Sequence, residues 1–138
     1  MSAPGGLLEL VPEGRALRQD DLIQIVDEPR IAPLVGSGEC WRGLANLRGG
    51  LIGVADLGIL LDGKPTEGGV MVAIRADGGE FGLLCAGISG NRGLPAPDAL
   101  PDEPLAGDPD WLLPSAPGEP RVIDIPLLLE DDRMRGRR

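Results

Sequence analysis

Apolar positions in this chain fall into short runs, each bounded by glycine, proline or acid. "LLELV" (7–11) stops at "PEG", a turn signal. "RALR" and "LIQIV" (22–26) follow. In the latter, Leu22, Gln24 and Val26 alternate with Ile23 and Ile25, which predicts a strand with Gln24 on the face of Leu22 and Val26. "LIGVAD" (51–56) and "VMVAIR" (70–75) carry β-branched residues between glycines and predict two more strands. "ADGG" (76–79) joins "VMVAIR" to "EFGLLCAGI" as a hairpin, and "RVIDI" (121–125) reads as the last strand. Many short strands with Gly-rich turns predict an all-β sandwich or barrel.

One internal echo refines this pattern. "VADLGILLD" (54–62) resembles "VIDIPLLLE" (122–130): a strand end, an Asp, then an apolar turn closing on an acid. Asp56 and Asp124 are placed to cap short helices by accepting from exposed backbone N–H groups. Pro126 then falls in the first turn, where its missing N–H costs nothing. A strand-to-helix element used twice implies two related halves.

Composition divides the chain further. Nine of the 14 prolines lie between Pro95 and Pro126, while residues 40–94 hold only Pro65. Residues 1–138 are expected to form one domain, with 95–120 a proline-rich, acidic, mobile surface connector and 131–138 a flexible basic tail.

The net charge of -9 argues against nucleic-acid partners, which need a basic patch. No apolar run approaches the ~18 residues that span a bilayer, and "MSAPGG" lacks the charged start of a signal peptide. A cytoplasmic protein without direct membrane insertion is expected. Cys40 and Cys85, set among apolar neighbours, are expected to be buried free thiols.

The absence of histidine removes the base from Ser–His and Cys–His catalysis. "GISGN" (87–91) misses the nucleophile-elbow pattern at Asn91, and "GSGECW" (36–41) puts Trp41 where a dinucleotide loop needs its third glycine. Two cysteines without histidine do not make a standard zinc site, and the acids from Asp98 to Asp110 match no calcium loop. No enzyme, cofactor or metal is expected.

"RGLANLRGGLIGVADLGILLDG" (42–63) carries a resemblance to the CheW family, whose members read roughly as Gly-apolar-x-Asn-apolar-Arg-Gly, an apolar strand, then Asp-Leu. "LLELVPEGRALRQDDLIQIVDEPRIAPL", "VMVAIRADGGEFGLLCAGI" and "RVIDIPLLLED" are similar to the family's opening hairpin, paired strands and closing strand with short helix. "GLANLRG" with "GVADL" looks most like the PilI branch, which serves type IV pilus chemosensory systems. The resemblance weakens across 95–120.

The resemblance implies two intertwined five-stranded SH3-like barrels with short helices and no catalysis. It implies an adaptor that couples the cytoplasmic tip of methyl-accepting chemoreceptors to the regulatory domain of a CheA-type histidine kinase, in chemotaxis or pilus-driven twitching. The protein would be recruited to membrane-bound receptor arrays. The groove between the halves would take the receptor tip, and barrel edges the kinase.

By resemblance, Arg48 is the motif arginine near the partner surface; the alternative is an arginine that staples the two halves together. Gly43 and Gly49 read as positions of close approach or positive φ, Asn46 as a local backbone acceptor, and Leu22 as core or interface. Relatives often carry an acid at the position of Gln24, near the motif arginine. Here the amide leaves Arg48 without that charge. Together, Arg48, Gly43, Asn46, Leu22 and Gln24 are the candidate partner-binding residues. Two other readings stay open: a divergent CheW-like module with a different partner, and a small-molecule-binding β-barrel or carboxylate-based hydrolase.

Overall fold

The computed structural model describes residues 6–11, 14–33, 40–67, 69–76, 78–93, 109–113 and 118–135. The chain opens with the antiparallel pair β1 (Leu7–Val11) and β2 (Arg15–Arg18), in register at Leu8 and Leu17. A 3₁₀ turn at Gln19–Asp21 then leads into a second sheet. That sheet takes β3 (Leu22–Asp27), β4 (Ile31–Ala32), β5 (Trp41–Leu47), β6 (Gly50–Asp56), helix α1 (Leu57–Asp62), β7 (Val70–Ala76) and β8 (Gly79–Cys85) in turn. The chain then returns to the first sheet. β9 (Gly87–Arg92) pairs with β1, and β10 (Arg121–Val122) runs parallel to β2 before α2 (Ile125–Leu129).

The two sheets have strand orders β10-β2-β1-β9 and β3-β7-β8-β6-β5-β4. The all-β architecture with two interleaved subdomains and short helices therefore holds. Among the described residues the ten strands divide six to four rather than five and five.

Two apolar clusters follow from the strand period. On β7, Val72 and Ile74 face one cluster while Met71 and Ala73 face the other. β8 divides likewise, with Phe81 and Leu83 on one side and Leu84 on the other. A strand buried on both faces needs an unbroken apolar run, which is what "VMVAI" supplies. The first cluster joins the sheets: Leu8, Leu10 and Leu17 meet Ala55, Val72 and Leu83, together with Leu57 and Leu60 of α1 and Ile125 and Leu128 of α2. The second, built on Leu47, Ile52, Val54, Met71 and Leu84, belongs to the six-stranded sheet alone. Each such fully buried side chain contributes about 1.5–3 kcal/mol.

Several expectations are corrected. A bulge between Leu22 and Gln24 interrupts the alternation of β3. Leu22 packs on the first cluster and Val26 on the second, so Gln24 does not share a face with both. "RVIDI" forms strand only over Arg121–Val122, because Asp124 already caps a helix. The connector is not surface throughout: Trp111 and Leu112 are buried, Leu112 bridges to Ile123, and the Trp111 indole donates to Asp131 at 3.0 Å. Residues 95–108 and 114–117 of the expected connector lie outside the described residues.

The basic tail is docked over residues 131–135. Met134 is 6% exposed, and its carbonyl accepts from the Trp41 indole at 3.0 Å. Residues 136–138 lie outside the described residues. Both cysteines are free and buried, as expected from their neighbours.

Candidate partner-binding site

The "NLRGG" stretch forms the tip of the β5–β6 hairpin. Leu47 pairs with Gly50, leaving a two-residue loop of Arg48 and Gly49. Both loop residues have positive φ, 51° at Arg48 and 86° at Gly49. That is the signature of a type I′ turn, whose twist matches that of the flanking strands. Asn46 supports it, its Oδ1 accepting from the Gly49 N–H at 3.1 Å. Glycine fits the second position without strain. An arginine at the first position costs about 1–2 kcal/mol of backbone energy relative to a residue at ease there.

The Arg48 side chain is 60% exposed, and its ion pair with Glu80 on β8 spans 3.7 Å. Such a pair is worth about 0–1 kcal/mol. Both residues belong to the six-stranded sheet, so this contact does not staple the halves together. The acid near Arg48 thus comes from β8, not from position 24. Beside them Leu51 is 69% exposed, and Arg48, Leu51, Gly79 and Glu80 border a shallow hollow between the two hairpin tips.

The other sequence-selected residues divide between structural and exposed positions. A Cβ at Gly43 would stand 1.9 Å from the Ala32 carbonyl oxygen, so this glycine lets β4 lie close against β5. Leu22 is half-buried against the first core cluster. Gln24 is exposed on β3 opposite Ala73, and no hydrogen bond joins it to Arg48 among the described residues. The hairpin tip brings together Asn46 and Arg48; it does not gather Gly43, Leu22 or Gln24.

Sequence reasoning missed Leu51 and Glu80. Alternation along "LIGVAD" was the available signal for Leu51, since it sets Leu51 on the face opposite Ile52 and Val54. It also missed the environment of Asp56, which was read only as a cap. This fully buried carboxylate accepts from five donors: Arg42 Nη1 at 2.7 Å, Thr66 Oγ1 at 2.6 Å, and the backbone N–H groups of Gly58, Ile59 and Thr66 at 2.8, 3.3 and 2.9 Å. Burial pushes its pKa up, but the Thr66 hydroxyl and N–H, then Arg42 and Ile59, outweigh that effect and hold it below the usual value. The result is an anchor that fixes β5, β6, α1 and the Thr66 loop behind the hairpin.

Burial pushes both thiols up to about 11, leaving them protonated at neutral pH. Among the described residues no group of three potential ligands could hold a metal, and no helix is long and apolar enough to cross a membrane.

A search of curated proteins returned no match. Among solved structures the fold is similar to that of the scaffolding protein TtCheW from Thermoanaerobacter tengcongensis, with a TM-score of 0.70 at 19% identity, covering 88% of each chain. The family model for the CheW-like domain matches residues 7–113, a span that runs from β1 through the strained hairpin to the buried Trp111. With sheet interleaving, hairpin tip and capped helix all inside that span, the chain belongs to the CheW-like domain family.

Proposed function

We propose that this chain is a non-catalytic adaptor that couples methyl-accepting chemoreceptors to a CheA-type histidine kinase. Family membership supports the adaptor class. The "GLANLRG" and "GVADL" wording supports a place in a type IV pilus chemosensory system. The receptor's hairpin tip takes the groove between the two subdomains, and the kinase's regulatory domain takes a barrel edge. The protein acts in the cytoplasm, recruited to receptor arrays.

The observation that carries this reading is Arg48. It occupies a backbone conformation that favours glycine, at φ 51°, yet its side chain is mostly exposed and only loosely paired. Strain kept for an exposed side chain points to a task outside the fold. A guanidinium presents five fixed donors, suited to a partner carboxylate.

The test compares Arg48→Ala and Arg48→Gly for affinity to the kinase regulatory domain and the receptor tip, and for thermal stability. Both substitutions should cost about 2 kcal/mol of partner affinity. Arg48→Gly should leave stability unchanged or slightly raised, because it relieves the positive φ. Unfolding by both variants with unchanged affinity per folded molecule would show Arg48 to be structural only.

A further inference from the structure

Helix α1, the loop after it and the end of β1 enclose a second hollow, of about 270 Å³, that none of Leu22, Gln24, Asn46 or Arg48 lines. Its apolar lining is wholly aliphatic: Val11, Leu57, Leu61, Pro65 and Ala86. Val11 comes from the four-stranded sheet and α1 follows a strand of the six-stranded one, so both subdomains contribute. The loop wall is fixed by the Asp56 anchor. The Thr66 N–H and hydroxyl donate to that carboxylate, and Arg42 donates to the Thr66 carbonyl at 3.2 Å. On the helix side, a Cβ at Gly58 would stand 2.6 Å from the Lys64 carbonyl oxygen, so glycine lets the loop close on α1. A hollow held in this way needs little reorganisation to take a ligand.

Three charged side chains, Asp62, Lys64 and Glu67, stand round this hollow. Among the described residues no ion pair joins Lys64 to either acid, although both lie within three positions of it. Opposite charges kept apart round an apolar hollow complement a dipolar head on an apolar body. We infer that the hollow binds a small zwitterion with a branched aliphatic side chain, of the class of a free aliphatic amino acid. Its carboxylate meets the Lys64 ammonium, its ammonium meets Asp62 or Glu67, and its side chain rests on Val11, Leu57 and Leu61. The size agrees: at ~30 Å³ for each water displaced, the hollow holds about nine water-sized groups, as many as leucine has non-hydrogen atoms. The aliphatic walls offer no ring on which an aromatic ligand could stack. This site does not depend on the adaptor reading.

The experiment titrates the full chain with leucine, following backbone amide chemical shifts and the heat of binding. The rim pairs are exposed and contribute little, so a Kd of about 0.1–1 mM is expected, with shifts centred on Val11, Leu61 and Ala86. Three analogues divide the ligand: 4-methylpentanoate lacks the ammonium, 3-methylbutylamine lacks the carboxylate, and glycine lacks the side chain. The first two should bind a few-fold more weakly than leucine, and glycine should not bind measurably. Lys64→Gln should weaken leucine a few-fold without weakening 3-methylbutylamine. Ala86→Leu should fill the hollow and remove binding, with thermal unfolding like the parent's because Ala86 is exposed.

No shift at these amides with leucine at about ten times the expected Kd would overturn the site. So would shifts centred elsewhere, or leucine affinity unchanged in Ala86→Leu. Equal affinity for leucine and either charged analogue, or for the parent and Lys64→Gln, would overturn the recognition of a dipolar head.

Discussion

Asp56 and Arg48 show two opposite uses of charge in one hairpin. Arg48 is held by little and faces outward, whereas Asp56 is fully buried and accepts from five donors. The buried carboxylate is the more consequential for stability, because removing a paired buried charge strands its donors. In Asp56→Asn an amide nitrogen would replace the oxygen that now accepts from Arg42 Nη1 and the Thr66 N–H, setting donor against donor. We expect that variant to be destabilised by about 3 kcal/mol, read as a shift in the urea midpoint. The parent should also be acid-sensitive. Its carboxyl is held below the ordinary value of 3.8, so the contribution is fully present above that pH and is lost as pH falls through the folded value. Asp131, held down to about 2 chiefly by Arg133, adds loss in the same direction. Asp56→Asn should flatten that acid limb; a slope identical to the parent's would show that Asp56 does not contribute to it.

At the scale of elements, the two Asp-led segments behave as one device used twice. Asp56 accepts from Gly58 and Ile59 at the start of α1, and Asp124 accepts from Leu127 at the start of α2, with Pro126 in the first turn. The copies differ in what surrounds the cap. Asp124 makes a single exposed cap bond of 3.0 Å, so Asp124→Ala should cost about 1 kcal/mol, well below the cost at Asp56; equal losses measured in urea would refute this ranking. These helices were legible because caps, proline and apolar spacing are local signals. The "VMVAI" run and its hairpin were legible for the same reason. β5 was harder to see as a strand, since Gly43 and Asn46 weaken the pattern, and the need for Gly43 arises from β4 lying against it. The bulge in β3 was hidden because alternation assumes an uninterrupted ladder. The motif identified Arg48 and Asn46, but Glu80 comes to Arg48 from 32 positions away along the chain, through sheet pairing that local pattern does not contain.

Across the whole molecule, the chain builds part of one sheet, completes the other, then returns to the first, so neither subdomain is a contiguous segment. The turn after α2 closes this path. Met134 enters the shared core, its carbonyl takes the Trp41 indole, and the Cys40 thiol lies 3.3 Å from the Arg133 carbonyl and 3.7 Å from the Met134 sulfur. The last described turn therefore covers the beginning of β5, on the strand that ends at the Arg48 hairpin. Met134→Ala should destabilise by about 2 kcal/mol or more, and should loosen this closing turn before the sheets separate. The two thiols provide the readout. Cys40 lies under the turn, while Cys85 lies at the end of β8, near the carbonyls of Val70 and Gly87. Burial holds both at about 11, so native labelling by an aromatic disulfide reagent at pH 8 should be slow at each. In Met134→Ala, Cys40 should react markedly faster while Cys85 keeps the parent rate. Equal acceleration of both thiols would mean that the closing turn opens only when the whole fold does, and its role as a separate clasp on β5 would be wrong.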